Sequence, residues 1–422
     1  MLRRDLGYED AGLQAISVFS SAARHRPRLL DSDVGVLMSL KLLYLVSEDW
    51  YFLSHRLPMA RAAKQAGYEV HVATRVADGA QQIRSEGFIL HPMDWRRGSI
   101  NPLHMVTTVA KIRRLYRRLR PDIVHHVAFA PAVIGSIAAL GLPIARLNVL
   151  AGLGFVFTSN STKARLLRPF ARRLLSFLFA GPRTVVLVQN PDDKALMMQL
   201  GLAENSITLI RGSGVDVDQL TPLPEPGAPF TVGFVGRLLY DKGVETLVLA
   251  QEILAKRGVQ VRCLLAGTPD ASNPATVREK TLQRWREHEN LTLMGYVEDI
   301  RKVWAHSHVA ALPSRREGLP KSLLEAAACG RPLVATDVPG CREIVRPEVT
   351  GLLVPPDNPA ALADAIERLM KDRALRLRLG AAARQTVVAE FSSANVGAQI
   401  VKIYARLSAN SPAAQPLANK IA

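Results

Sequence analysis

Between Ser314 and Pro332 the chain reads Ser-Arg-Arg-Glu-Gly-Leu-Pro-Lys-Ser-Leu-Leu-Glu-Ala-Ala-Ala-Cys-Gly-Arg-Pro. An apolar run, Val309–Leu312, precedes it, so Gly318 and Leu319 fall where a helix should begin. Free backbone N–H groups and the positive end of a helix make such a position a ready site for an anion. Glu325 follows Glu317 by eight residues, a little over two helical turns, so both carboxylates can face one cleft. Spacing alone is equally compatible with an exposed amphipathic helix carrying two ordinary glutamates. A second chemical element is Gly236-Arg-Leu-Leu-Tyr-Asp-Lys-Gly243, directly after the apolar run Thr231–Val235. Arg237 can donate two parallel hydrogen bonds and Lys242 is a compact point charge, both suited to an anionic oxygen. Read blandly, the same pair is a solvated turn.

The elements that must position these residues follow from periodicity. Short apolar runs alternate with amphipathic stretches, which predicts parallel βαβ units. In the first half, strands are expected at Leu42–Val46, Glu69–Ala73, Ile123–Val124, Ala145–Leu150, Thr184–Val188 and Ile207–Ile210, with a crossover helix over Leu57–Ala66 stopped by Gly67. In the second, they are expected at Thr231–Val235, Val261–Ala266, Leu291–Met294, Val309–Leu312 and Leu333–Ala335, with helices over Val244–Ala255 and from Pro359 to about Asp372. The proline-stiffened stretch around Thr221–Gly227 is the natural linker. The expected organisation is an extension over residues 1–38, equally readable as a misplaced start, then a Rossmann-like domain over 39–220, a linker at 221–229, a second Rossmann-like domain over 230–390, and a C-terminal helix and tail over 391–422. Two doubly wound halves place a ligand in the cleft at the carboxyl ends of their strands.

Composition narrows the class. The chain of 422 residues is 48% hydrophobic and 22% charged, ordinary for a globular protein of two or three domains. Cys263, Cys329 and Cys341 are too few and scattered for a disulfide framework or a four-ligand zinc site, so a reducing cytoplasm fits best. The formal charge of +17 is concentrated: from Trp95 to Pro191 there are fifteen lysines and arginines against one acid, Asp122. Such a surface suits an anionic leaflet, a nucleic acid or a phosphate-bearing substrate. The basic segments lack the interleaved aromatics of nucleic-acid readers, so no nucleic-acid partner is expected, although a basic nucleic-acid-binding protein is the alternative from another class. No run reads as a membrane span; Val127–Ala145 comes nearest but is interrupted by Pro131, Gly135, Gly141 and Pro143.

Taken together, the blocks at Gly233–Gly243, Gly214-Val-Asp216, Ser314–Pro332, Ala335–Glu343 and Gly351–Pro355 resemble, in order, those of the retaining family 4 glycosyltransferases. The resemblance covers about Leu40 to Phe391. It implies a GT-B fold, in which two Rossmann-like domains face each other across a cleft, and transfer of a sugar from a nucleotide diphosphate. It also implies roles. Glu325 would bind the nucleotide ribose, while Glu317 and the backbone of Gly318 and Leu319 would hold donor-sugar hydroxyls. Arg237 and Lys242, beside Gly236, would stabilise charge building on the departing diphosphate. Retention would proceed by front-face attack, without a protein nucleophile, unlike a retaining glycosidase with its close carboxylate pair. Neither Asp216-Val-Asp218 nor Asp31-Ser-Asp33 follows a strand that would present it to a diphosphate, so no metal and no cofactor are expected.

The first half departs from the family pattern. Asp49-Trp-Tyr-Phe-Leu-Ser-His55-Arg56-Leu-Pro58 replaces the common Gly-Gly loop. It and Val149–Phe157 are similar to a subgroup acting on lipid-linked sugars in O-antigen, capsule and exopolysaccharide assembly. Asp122-Ile-Val-His125-His126 stands at the family's catalytic-loop histidine, often two residues past the first, where this chain has Val127. Either His125 or His126 serves, or the role is lost. Residues 163–180 combine basic residues with a Leu/Phe face and suit an anionic membrane surface, whereas the helix around Arg113–Arg120 reads better as core-facing. The expected activity moves a hexose or N-acetylhexosamine from a UDP-sugar to a polyprenyl-diphosphate-linked sugar, at the inner face of the cytoplasmic membrane, in bacterial surface polysaccharide synthesis. The alternative within the fold is a soluble or lipopolysaccharide-core acceptor.

Overall fold

Runs such as Thr-Val-Val-Leu-Val at residues 184–188 carry β-branched side chains on both faces, which favours strands buried between helical layers. The computed structural model, which describes residues 39–94, 102–150, 172–271 and 273–409, places these runs in two sheets. The first contains β1 (Lys41–Glu48), β2 (Glu69–Arg75), β3 (Ile89–Pro92), β4 (Ile123–Val127), β5 (Ala145–Val149), β6 (Thr184–Val188) and β7 (Ile207–Leu209), in the order β3-β2-β1-β4-β5-β6-β7. The second contains β8 (Thr231–Val235), β9 (Arg262–Ala266), β10 (Leu291–Gly295), β11 (Val309–Leu312), β12 (Leu333–Thr336) and β13 (Gly351–Val354), in the order β10-β9-β8-β11-β12-β13. Every ladder is parallel. In each sheet the order reverses beside the first strand, between β1 and β4 and between β8 and β11, and these are the two points where such sheets open a ligand crevice.

All expected strands are present. The correction that matters is at β4, which runs on to Val127 and carries both histidines inside the sheet instead of on a loop. Likewise Asp49–His55 is a helix, its Asp49 carboxylate accepting from the backbone N–H of Ala77 at 2.7 Å and Gly79 at 2.9 Å. The edge strand β3 escaped the sequence reading because four half-exposed residues ending in proline give little alternation to detect. The stretch expected as a linker is tied to the second half: Glu225 pairs with Arg373 at 2.7 Å and Arg376 at 2.8 Å, and Arg331 donates to the Pro224 carbonyl at 2.6 Å. The C-terminal helix, Ser393–Ala409, leaves the second sheet and buries Val396, Ile400, Ile403, Tyr404 and Leu407 in the core of the first, where Gly397 lies against Ala62 of the helix Leu57–Gln65.

The helix Pro102–Leu119 turns Ile112, Leu115 and Tyr116 inward, in keeping with the core-facing reading. For the basic segment 163–180, only residues from 172 onward are described, and they are helical through 179. Here the expected apolar face needs correcting. Leu178 is 1% exposed and belongs to the core with Leu175 and Phe179, whereas Leu174 and Phe177 are 42% and 66% exposed. Residues 1–38, with Asp31 and Asp33, lie outside the described residues, as do 151–171, with Arg165 and Arg168.

Candidate active site

At the β8–β11 crevice two loops are pressed together by sequence. Gly243 adopts φ 70°, and a methyl group there would run into the Pro313 carbonyl oxygen, so only glycine lets the β8 loop lie against the β11 loop. That approach puts the Lys242 ammonium 2.7 and 2.8 Å from the two Glu317 carboxylate oxygens. The Ser314 hydroxyl donates to Glu317 at 2.7 Å, and Thr336 holds the Ser314 carbonyl. Glu317 is only 7% exposed and Lys242 25%, so the pair is sheltered, with Ser314 fixing the carboxylate. Charge-assisted bonds of this length are about twice as strong as neutral ones.

Arg237, in the same β8 loop, does not join that pair. Its guanidinium donates to Asp270 at 2.6 Å, after β9. Gly236 closes onto the Ala266 carbonyl through its own N–H at 3.0 Å, and a Cβ added to it would touch nothing nearer than the Phe234 ring at 3.4 Å. Both cations expected at a phosphate are therefore paired with carboxylates, Arg237 with Asp270 and Lys242 with Glu317.

Gly318 and Leu319 sit just ahead of the helix Lys321–Ala328, whose N-cap is Pro320. Among the described residues no acceptor meets the N–H of either. The Leu319 side chain packs down towards Gly212 and the second core. Glu325, on that helix, pairs with Lys321 at 3.2 Å with 14% of its side chain exposed; burial holds its carboxyl above the usual range, with Lys321 opposing. Glu317 and Glu325 each keep a lysine partner of their own, Lys242 and Lys321, and these two lysines both act electrostatically on His55. Burial first, then Arg56, Lys321 and Lys242, pushes that imidazole down to about 3. His55 closes the helix that follows β1 and is stacked on Tyr51 with ring centroids 4.3 Å apart. The sequence flagged His55 only as part of a departure from the family pattern.

His125 and His126 are placed otherwise. Neighbouring residues of a strand point to opposite faces. His125 Nδ1 is 2.6 Å from the Tyr404 hydroxyl, which is 2.7 Å from that of Tyr44. His126 contacts Tyr116 at 2.9 Å and Asn148 at 2.7 Å. Both histidines are 0% exposed. Burial keeps His125 well below the ordinary imidazole value and His126 down at about 4. In this structure both are core residues, and neither presents surface to a substrate.

Among the described residues no group of three or more His, Cys, Asp or Glu is arranged to hold a metal. Asp216 instead accepts from the N–H of Asp218 and Gln219 at 3.1 and 2.9 Å. The three cysteines are buried thiols, and no described helix is long and apolar enough to cross a membrane.

Residues 229–372 match the family described as glycosyl transferases group 1, and residues 41–190 the one described as glycosyl transferase 4-like. Over 381 residues the chain is 26% identical to the N,N'-diacetylbacillosaminyl-diphospho-undecaprenol alpha-1,3-N-acetylgalactosaminyltransferase of Campylobacter jejuni, covering 85% of this chain and 99% of that one. It is 23% identical to the Staphylococcus aureus capsular polysaccharide biosynthesis glycosyltransferase CapM, covering 86% and 96%. Its fold matches that of Anabaena Alr3699/HepE, solved in complex with UDP and glucose, at a TM-score of 0.70 with 20% identity over 87% of this chain and 99% of that one. It also matches the sucrose-phosphate synthase of Thermosynechococcus elongatus at 0.74, with 22% identity over 88% and 100%. With both halves matched in order, and both sheets parallel and doubly wound, the chain belongs to the group 1, family 4-like glycosyltransferases of GT-B fold.

Proposed function

We propose that this glycosyltransferase takes a hexose or N-acetylhexosamine from a UDP-sugar and adds it, with retention, to a polyprenyl-diphosphate-linked sugar during assembly of a bacterial surface polysaccharide. The observation that carries the donor assignment is the Lys242–Glu317 pair beside the unpaired Gly318 and Leu319 amides. As the bond from the anomeric carbon to the β-phosphate oxygen breaks, negative charge grows on that phosphate. Lys242 and Arg237 are the cations placed to meet it, each leaving part of its carboxylate contact to do so. Glu317, once shared, accepts from donor-sugar hydroxyls, and the Gly318 and Leu319 amides donate to them. Glu325 holds the ribose through the same logic of carboxylate to hydroxyl. The acceptor hydroxyl bonds to the anomeric carbon on the face the diphosphate leaves, and its proton passes to the departing phosphate oxygen. No protein nucleophile and no metal is needed in this scheme, because cationic side chains carry the neutralisation.

Support for a lipid-linked acceptor is the coverage of the Campylobacter relative, 99% of its length, which its name places on an undecaprenyl diphosphate sugar. The local basic excess between Trp95 and Pro191 fits work at an anionic leaflet on the cytoplasmic side. The test is UDP release by purified enzyme across nucleotide sugars, with a short polyprenyl-diphosphate sugar as acceptor and the anomeric configuration of the product read by NMR coupling. Release with soluble or lipopolysaccharide-core acceptors alone, or an inverted product, would refute the assignment. Loss of activity in EDTA that Mg²⁺ or Mn²⁺ restores would refute metal independence.

A further inference from the structure

The donor loop is held by a residue of the other half. Asn190 follows β6 and is 1% exposed. Its side-chain oxygen caps the helix Pro191–Gln199, accepting from the Asp193 N–H at 2.8 Å. Its side-chain nitrogen donates to two acceptors at 3.0 Å, the Asp193 carboxylate and the Gly318 carbonyl of the second half. Gly318 and Asn190 are 128 residues apart, so no local chain geometry forces this contact. On its other side the Gly318 carbonyl lies against Gly340, where an added methyl group would strike that oxygen. The carbonyl is thus fixed between an amide donor in one half and a glycine in the other.

A trans peptide points its carbonyl and the following N–H in opposite directions. Fixing the Gly318 carbonyl towards Asn190 therefore turns the Leu319 N–H away from it, and that N–H has no partner among the described residues. Gln189, next to Asn190, closes the same side: its Oε1 would lie 3.1 Å from a Cβ on Gly318. Two ion pairs back the contact, Arg211–Glu343 at 2.6 Å and Arg342–Asp192 at 3.9 Å, each joining the two halves. Each of these pairs has an exposed arginine and neither touches the Gly318 peptide; Asn190 is the buried residue that bonds to it.

We propose that Asn190 is a positioning residue for the donor: its amide sets the Gly318–Leu319 peptide plane, so that the Leu319 N–H meets the donor only when the first half is docked. The inference rests on the donor assignment above. Because one side chain does both jobs, capping and clamping have to be separated by substitution. Asn190→Asp and Asn190→Ser each keep an N-cap oxygen, as good caps do. Neither keeps a donor that reaches Gly318: Asp presents oxygen to a carbonyl, and Ser is too short.

The experiment measures thermal unfolding, UDP affinity by calorimetry, and steady-state KM and kcat for the donor, on the full chain of wild type and both variants. The expected result is an unfolding temperature close to wild type in at least Asn190→Ser, with donor KM raised roughly tenfold, on the scale of one lost hydrogen bond in a sheltered site. UDP affinity should fall less, because the Leu319 amide is assigned to the sugar. Donor KM and kcat at wild-type values in both variants would overturn the proposal. An equal loss of kcat/KM in Asn190→Gln, which keeps the amide donor but caps poorly, at a matching loss of unfolding temperature would also overturn it, by showing that only the cap matters. If wild type itself binds no UDP, the fault lies with the donor assignment and not with Asn190.

Discussion

The two crevices of this molecule are built alike and filled differently. At β8–β11, glycines bring two loops into contact, lysines and carboxylates meet at 2.7–3.2 Å with part of each exposed, and amides are left without partners. At β1–β4, the polar side chains of the strands are swallowed: His125, Tyr44 and Tyr404 bond to one another with no exposure. One switch point leaves its polar side chains partly exposed, and the other spends them on the fold. The same topology thus yields one crevice whose polar residues read from sequence, the one we propose for the donor, and a second whose titratable groups are spent on the core.

The comparison breaks most sharply if the cations at β8–β11 prove dispensable. Lys242→Ala or Arg237→Ala should lower turnover by roughly 10²-fold or more, the scale of one lost preorganised donor at a developing charge, while circular dichroism stays native. Lys242→Ala also strands the 7% exposed Glu317 carboxylate, so it should cost stability as well, whereas Arg237→Ala, at a more open site, should not. Turnover near wild type in both would show that the diphosphate is held elsewhere. Gly243→Ala tests the loop contact itself: a side chain in the left-handed region against the Pro313 carbonyl should cost about 2–3 kcal/mol by chemical denaturation.

The second half was legible because its signals are local. Glu317, Gly318 and Glu325 lie on one loop and the helix after it, and Gly236, Arg237 and Lys242 on another, so spacing and residue type carry the geometry. What spacing could not show is which carboxylate each cation takes, since Arg237 meets Asp270 across 33 residues. Nor could it show Asn190, whose helix-cap pattern is visible but whose second bond crosses the cleft. In the first half the reading stopped β4 two residues before His126, because a histidine pair looks polar and therefore loop-like. Only the Tyr404 hydroxyl, delivered by a helix 279 residues later, gives the buried His125 ring a hydrogen-bond partner, at Nδ1.

That account of the histidines has a pH signature. Both imidazoles are neutral in the fold because burial opposes their charge, His126 remaining so down to about 4, while in the unfolded chain each titrates near 6.5. As pH falls below about 6.5 the unfolded state gains protons that the folded state refuses, so stability drops with acidification, by at most about 1.4 kcal/mol per pH unit for each group. For His126 the loss ends near pH 4, where the folded form takes its proton. Urea midpoints between pH 7 and 4.5 should fall accordingly. In His126→Asn the slope should flatten while turnover at pH 7.5 stays within a few-fold of wild type; a large loss of turnover at unchanged stability would return this histidine to the reaction.

The smallest effect expected concerns the basic helix at residues 172–179, where the first half offers a surface instead of a pocket. Leu174 and Phe177 remain exposed there although Leu175, Leu178 and Phe179 are buried, so the helix has a core face and a second, unused apolar face beside Arg172 and Arg173. A cation near an anionic leaflet contributes about 1 kcal/mol, which is roughly fivefold in partitioning, and the attraction fades as the Debye length shrinks from about 10 Å at 0.1 M salt to 3 Å at 1 M. Arg172→Gln and Arg173→Gln should each lower flotation with anionic liposomes by about that factor at low salt and by nothing measurable at 1 M. Phe177→Ser should lower it at both, because burial of an aromatic ring is not screened. None of the three should change UDP binding, which we propose for the other crevice. Unaltered flotation in all three would leave the exposed apolar face without a role and confine the basic excess between Trp95 and Pro191 to another partner.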